Sequence, residues 1–305
     1  MKIYKNFEDA RNIKNPVVTT GSFDGVHIGH KTILNRLRML AERYEGESVL
    51  ITFDPHPRKV LYPDTIGKDL KLINSGEEKL MLLRKAGLDN LIIVEFTREF
   101  SKTTSEEFVR DLLHGILGAK VVVAGFNHHF GFNQEGDYRQ LWDLRAKYSF
   151  EAEEIPEQEV QHETVSSTKI RKAISEGNIQ RANAYLDHYY IIIGTSVPYG
   201  SDNPLPGFAL SEIITGEDKL LPAPGVYAVS AGSDKNKLKG MAIVYNPPEE
   251  RPKVLLHLLD GKQTIENECT LFFHKRVHGS VDLTDHAIFH GRLRVARNEI
   301  EDLIY

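Results

Sequence analysis

Two histidines three positions apart carry the first chemical signal in this chain: His27 and His30, within GSFDGVHIGHK, residues 21–31. An imidazole donates N–H bonds, and a pair spaced i, i+3 around Gly29 lies on one side of a first helical turn. Gly21 and Gly25 allow close backbone approach, and the open amides of a helix start attract phosphate. Two donors at such a place can hold the phosphates of a nucleoside triphosphate. They can also stabilise the charge that builds on the α-phosphorus and on departing pyrophosphate. The segment reads as the nucleotide-binding head of an adenylyl- or cytidylyl-transferring enzyme.

Three further segments carry polar groups in telling places. In VSSTKIRKAI, 165–174, one of Ser166, Ser167 and Thr168 supplies the helix N-cap. Lys169, Arg171 and Lys172 then fall in the first turn, where the helix dipole disfavours cations by ~0.3–1 kcal/mol each. That arrangement makes sense when an anion arrives, with Arg171 as its main contact. FDPHPRKVL, 53–61, places two prolines after a strand, a stiff loop where an acceptor substrate would sit. AGFNHHFGFNQEGD, 124–137, offers Asn127 to orient a phosphate or ring and Phe130 or Phe132 to stack on one. No Cys or carboxylate cluster surrounds His128 and His129 at ligand spacing, so no protein-bound metal is expected. The lone Trp142 reads as packing.

The elements that must position these groups follow from periodicity. PVVTT (16–20), ESVLITF (47–53), NLIIVEF (90–96) and KVVVAGF (120–126) read as buried strands. Amphipathic stretches at 32–44, 77–87 and 105–117 separate them. The alternation predicts α/β organisation, a Rossmann-like, doubly wound parallel sheet with substrates at the carboxyl ends of its strands. Two short helices are expected across 164–186, and from Tyr189 the texture changes. Segments 189–197, 225–231, 238–245, 254–260 and 269–274 are strand-like with no helix between them, which predicts a small antiparallel β-barrel. A C-terminal helix closes the chain, and the domains are expected to span 1–187 and 188–305.

Bulk properties narrow the function classes. A formal net charge of -5 argues against general nucleic-acid binding, which needs a basic face. Nothing approaches ~18 consecutive apolar residues, so neither a signal peptide nor a membrane span is expected. The single cysteine, Cys269, excludes an internal disulfide and suits a reducing, cytoplasmic compartment. Within the apolar run CTLFF it reads as a buried hydrophobe.

Taken together, TTGSFDGVHIGH, TFDPHPR, GFNHHFG and SSTKIR occur in the order found in the bacterial bifunctional riboflavin kinase/FAD synthetase family, and the chain resembles that family over residues 17–190. The resemblance implies a nucleotidyltransferase domain that adenylates FMN with ATP and Mg2+, giving FAD and pyrophosphate by direct in-line attack. It implies ATP contacts from Gly21, Ser22, Phe23, Asp24, His27, Gly29 and His30. Ser167, Thr168 and Arg171 would close over the triphosphate, with His27, His30 and Arg171 catalytic. Asp54, Arg58 and Asn127 are the candidates for the FMN side. His129 stands where the family usually has another residue, which leaves that contact open.

The carboxyl-terminal half resembles the family's kinase barrel in scaffold only. The family's GFPTAN element corresponds to GFALSE, 207–212, where Leu210 replaces the threonine and Glu212 the asparagine that serve magnesium and ATP. Leu255 stands where the family has the glutamate that deprotonates riboflavin. Leucine neither accepts a proton nor ligates magnesium, so the resemblance implies a degenerate kinase. Two alternatives stay open: a bifunctional enzyme that also phosphorylates riboflavin, and a flavin-binding regulatory module.

Overall fold

The computed structural model describes residues 1–126, 128–161, 163–199, 208–232, 236–247, 249–259, 267–279 and 286–303. By packing, the chain forms two compact units: Met1–Leu70 with Lys79–Val165, and Lys71–Glu78 with Ser166–Tyr305.

The first unit is built on six parallel strands, β1 Lys2–Tyr4, β2 Val17–Thr20, β3 Ser48–Asp54, β4 Asn90–Glu95, β5 Val121–Gly125 and β6 Glu151–Ile155, ordered β1-β4-β3-β2-β5-β6. The four predicted strands are the four central ones, because burial on both faces of a parallel sheet demands continuous apolar runs. The two edges lack that signature: KIY is only three residues long, EAEEI carries three glutamates, and of their residues only Ile155 is buried. From β2 the chain winds to β3 and β4 on one side, then crosses back from β4 to place β5 on the other side of β2. The edge beyond β2 is therefore the topological switch point, where sheets of this kind bind ligands.

Helices α1 Ile28–Arg43, α2 Pro57–Leu61, α3 Gly76–Lys85, α4 Ser105–Glu107 and α5 Tyr138–Tyr148 connect the strands. α4 opens with a capping box between Thr104 and Glu107 and runs on as a π-helical segment, Phe108–Ile116. A short hairpin, β7 Glu159–Val160 and β8 Glu163–Thr164, ends the unit. Val18, Val49, Ile51, Ile92 and Val122 from the strands join Val109, Leu113 and Leu141 in one buried core.

The second unit carries α6 Ser167–Ser175 and α7 Ile179–Leu186. Six antiparallel strands follow, β9 Tyr190–Pro198, β10 Ser211–Ile214, β11 Gly225–Gly232, β12 Lys237–Tyr245, β13 Lys253–Leu258 and β14 Asn267–His278, closed in the order β10-β13-β12-β11-β14-β9. α8, His286–Asp302, completes it. Closure leaves no open sheet edge, which is how a run of short strands avoids aggregation. β10 had no distinct sequence signal, since SEII mixes charge with apolar residues. Cys269 is a free, buried thiol, and burial pushes its pKa up to about 11.

In the second unit α6 and α7 pack with the barrel. Asn183 bridges the two, its Nδ2 donating to the Phe273 carbonyl at 2.9 Å and its Oδ1 accepting from Tyr190 N at 2.6 Å. Arg276 likewise donates to the Glu176 carbonyl at 3.3 Å, and the Ala223 amide to the Ile174 carbonyl at 3.2 Å.

Candidate active site

β2 ends at Thr20, and the Gly21 amide still pairs with the Ile51 carbonyl of β3 at 3.0 Å. The chain then turns sharply: Phe23 (φ 46°), Gly25 (φ 98°) and Val26 (φ 43°) all adopt positive φ. Only glycine does so without cost, so a valine held there marks a turn imposed by its surroundings. The turn is buried, with Phe23, Asp24, Val26 and His27 each less than a tenth exposed.

α1 begins at Ile28 with His27 at the N-cap position, and the His27 side chain makes no capping hydrogen bond. The first turn holds no acidic residue. The first turn of α1 thus carries no negative charge of its own to compete with an anion at the helix start.

The two histidine rings are stacked, centroids 3.7 Å apart and planes 18° from parallel. Phe23 extends the stack on the far side of His30, at 4.3 Å and 22°. Gly29 makes room for it, because a Cβ there would stand 3.2 Å from the His27 ring. Burial drives the His30 pKa well below its ordinary value, aided by the charges of His27 and Lys79. The ring is therefore neutral near pH 7, and its buried Nδ1 meets no hydrogen-bond partner among the described residues. The hydroxyl of Thr20, at the mouth of the same turn, is also buried and unpartnered among them. Buried polar atoms of this kind are costly unless a ligand satisfies them.

One group absent from the sequence reading belongs here. Lys79 of α3 donates from Nζ to the Ser22 carbonyl at 2.8 Å. A lysine in an ordinary helical pattern gives no motif, and only the turn's approach to α3 identifies it.

Asp54 ends β3 and is exposed, and Arg58 is exposed on α2, its amide donating to His56 Nδ1 at 3.2 Å. The stiff loop expected at 53–61 is thus a turn followed by one short helix with Pro57 at its start. Asn127 lies outside the described residues.

Two aromatic expectations are corrected. Phe130 belongs to the core, tilted against Phe108 at 6.0 Å, so it offers no stacking platform, whereas Phe132 is 40% exposed. Trp142, expected to pack, is 45% exposed with the Arg145 guanidinium 3.5 Å over its ring. A surface cation–π contact has taken the place of core packing.

In the second unit Ser166 is the N-cap of α6, accepting from Lys169 N at 3.4 Å. That places Lys169 in the first turn but Arg171 and Lys172 in the second, a correction to the expected first-turn cluster. Ile170, Ala173 and Ile174 bury the opposite stripe of the helix. Arg171 is positioned by its Nε, which donates to the Lys71 carbonyl at 3.1 Å.

Depressed histidines make stability pH-dependent. Burial, aided by His129, lowers His128 to about 4, and burial, aided by Lys237, does the same to His274. Unfolded, each titrates near ~6.5, so between these limits the unfolded chain binds protons that the folded one refuses. Stability is accordingly full above about pH 6.5 and is expected to fall as pH drops toward about 4. Thermal melts across that window check it, and a flat melting temperature would contradict the burial of these rings.

The FAD synthetase family matches residues 9–169. A bifunctional riboflavin kinase/FMN adenylyltransferase of Listeria monocytogenes serovar 1/2a is 32% identical over 95% of this chain and 88% of its own length. The chain belongs to the FAD synthetase family. An FAD synthetase from the same Listeria strain is 36% identical over 71% of the chain and 81% of its own length. A bifunctional riboflavin kinase/FMN adenylyltransferase of Escherichia coli K12 is 29% identical over 80% and 78%. A crystal structure titled as a macrolide-efflux protein from Streptococcus pneumoniae superimposes with a TM-score of 0.88 over 99% of both chains. At 24% identity that likeness shows the fold alone.

Within this FAD synthetase-family chain, the barrel buries an apolar cluster against α8. Leu210 and Leu255 lie in one buried cluster with Met241 and Ile243 and with Leu293, Ala296 and Ile300 of α8. Glu212 is paired in register with Leu255 across β10 and β13. Among the described residues no group of three or more His, Cys, Asp or Glu side chains is placed to hold a metal ion. Nor is any described helix long and apolar enough to cross a membrane.

Proposed function

We infer that this protein makes FAD by transferring AMP from ATP to FMN, with release of pyrophosphate. The observation that carries the reading is the His27–His30 stack at the start of α1, on the switch-point edge of the sheet. An FMN phosphate oxygen attacks the α-phosphorus and forms a new P–O bond. The bond from the α-phosphorus to the bridging oxygen breaks, and pyrophosphate departs with its electron pair. No covalent enzyme intermediate is needed, so the protein's contribution is alignment and charge stabilisation.

His27 and His30 are assigned to the triphosphate, with Gly21, Ser22, Phe23, Asp24 and Gly29 shaping the turn around it. Ser167, Thr168 and Arg171 are assigned phosphate contacts on the strength of SSTKIR, and Asp54, Arg58 and Asn127 the FMN side. A neutral His30 donates one N–H to a phosphate oxygen, and the approaching anion raises its affinity for a second proton. Magnesium enters with ATP, as part of the substrate, and offsets charge on the leaving group. Residues 1–187 are assigned to this reaction, and a cytoplasmic setting supplies both substrates. Chromatography after incubation with FMN, ATP and Mg2+ tests the reading: FAD must appear, and its absence refutes it.

The barrel is read as a kinase scaffold without kinase chemistry, because both Leu210 and Leu255 sit in an apolar cluster. Riboflavin with ATP should therefore yield no FMN, and FMN formation would restore the bifunctional reading that the relatives' names suggest. Leu255→Glu alone is expected to leave riboflavin unphosphorylated. Leu210 still cannot ligate magnesium, and the new carboxyl, placed where leucine is 1% exposed, is driven toward its neutral form.

A further inference from the structure

Lys79 carries its ammonium into the turn that follows β2. Its Nζ donates to the Ser22 carbonyl at 2.8 Å, a carbonyl that already accepts from Thr52 Oγ1 at 3.3 Å. Burial lowers the Lys79 pKa, while the carboxylates of Asp24 and then Asp54 pull it back up. The same charge acts on His30. Lys79 is thus fixed at the Ser22 carbonyl, two residues from Asp24, and that carbonyl also binds Thr52, two residues from Asp54, where β2 and β3 reach the carboxyl edge of the sheet.

A hydrogen bond to one carbonyl does not require an ammonium, since Thr52 supplies a neutral donor to the same oxygen. What the ammonium adds is charge. An adenylyl acceptor is a phosphate dianion, and it must approach an ATP that is itself polyanionic past Asp54. Left unbalanced, Asp24 and Asp54 would repel both substrates. We propose that Lys79 is a positioning residue of the adenylyl-transfer site, fixing the head turn through Ser22 and neutralising Asp24 and Asp54 so that the anionic acceptor can approach. The proposal rests on the FMN-adenylation reading.

Steady-state FAD formation by the full-length protein tests it, with KM for FMN, KM for ATP, kcat and the substrate-free melting temperature measured together. Lys79→Gln keeps a neutral donor for Ser22 and removes the charge. It is expected to lower kcat/KM for FMN about 100-fold, the scale of one lost electrostatic contact. Lys79→Arg, which keeps the charge, should recover most of that loss. Unchanged kinetics in Lys79→Gln, or an arginine variant as impaired as the glutamine one, overturns the proposal. A lysine of structural importance alone would lower the melting temperature and leave KM for FMN unmoved. Should Lys79→Gln fail to fold, Lys79→Arg decides by itself: kcat/KM for FMN close to wild type is expected, and a loss of about 100-fold overturns the proposal. Wild-type FAD formation is the control: its absence refutes the adenylation reading itself.

Discussion

Replacing His30 with alanine is expected to lower kcat for FAD formation by about 100- to 1,000-fold, the range seen when one donor to developing charge is removed. The side chain stands between His27 and Phe23, with ring centroids 3.7 and 4.3 Å away, so its direction is set by stacking. Its buried Nδ1 finds no hydrogen-bond partner among the described residues, so alanine deletes an unsatisfied polar atom along with the stacking contacts. These effects on folding oppose one another, and the melting temperature should shift by only a few degrees. Activity within tenfold of wild type would remove His30 from the catalytic machinery. A collapse in melting temperature would make it structural instead.

The second large effect is on stability and lies in the other unit. Lys219 and Glu78 form an ion pair, Nζ to Oε2 at 2.6 Å, with side chains 1% and 0% exposed. Burying two charges is costly unless every remaining donor and acceptor is met. Here they are: Lys219 also donates to the carbonyls of Ile73 (2.5 Å) and Ile191 (2.8 Å), and its ammonium lies 4.4 Å from the Tyr190 ring centroid. Glu78 accepts from Ile193 N and from Ser75 N, each at 2.9 Å. Lys219→Met leaves a buried carboxylate without its counter-charge and two carbonyls without their donor. A loss of about 3–5 kcal/mol is expected from breaking such a pair, read as a lower denaturant midpoint. Adding Glu78→Leu should recover part of that loss, because the uncompensated charge goes while Ile193 N stays unsatisfied. A Lys219→Met variant as stable as wild type would show that water reaches the site.

How much of this was legible beforehand depends on how local each signal is. The central strands announced themselves because a strand buried on both faces must be apolar throughout. The edge strands β1 and β6 did not, since their pairing needs only backbone groups. The helix start at SSTKIR was readable to within one residue, yet the turn holding Arg171 followed from which hydroxyl became the cap. Phe130 and Phe132 are two positions apart in one loop, and nothing local tells that the first enters the core while the second remains 40% exposed.

Composition, periodicity and four short motifs were thus enough to determine the α/β-then-barrel order and the place of GSFDGVHIGHK between a buried strand and a helix. These are properties of residue type and near-neighbour spacing. Tertiary structure alone decided the stacking of His27, His30 and Phe23, the arrival of Lys79 at Ser22, and the Glu78–Lys219 pair, whose partners are 141 residues apart. Such contacts arise only when the chain closes on itself, and burial then alters the charge and reach of groups that look ordinary in sequence.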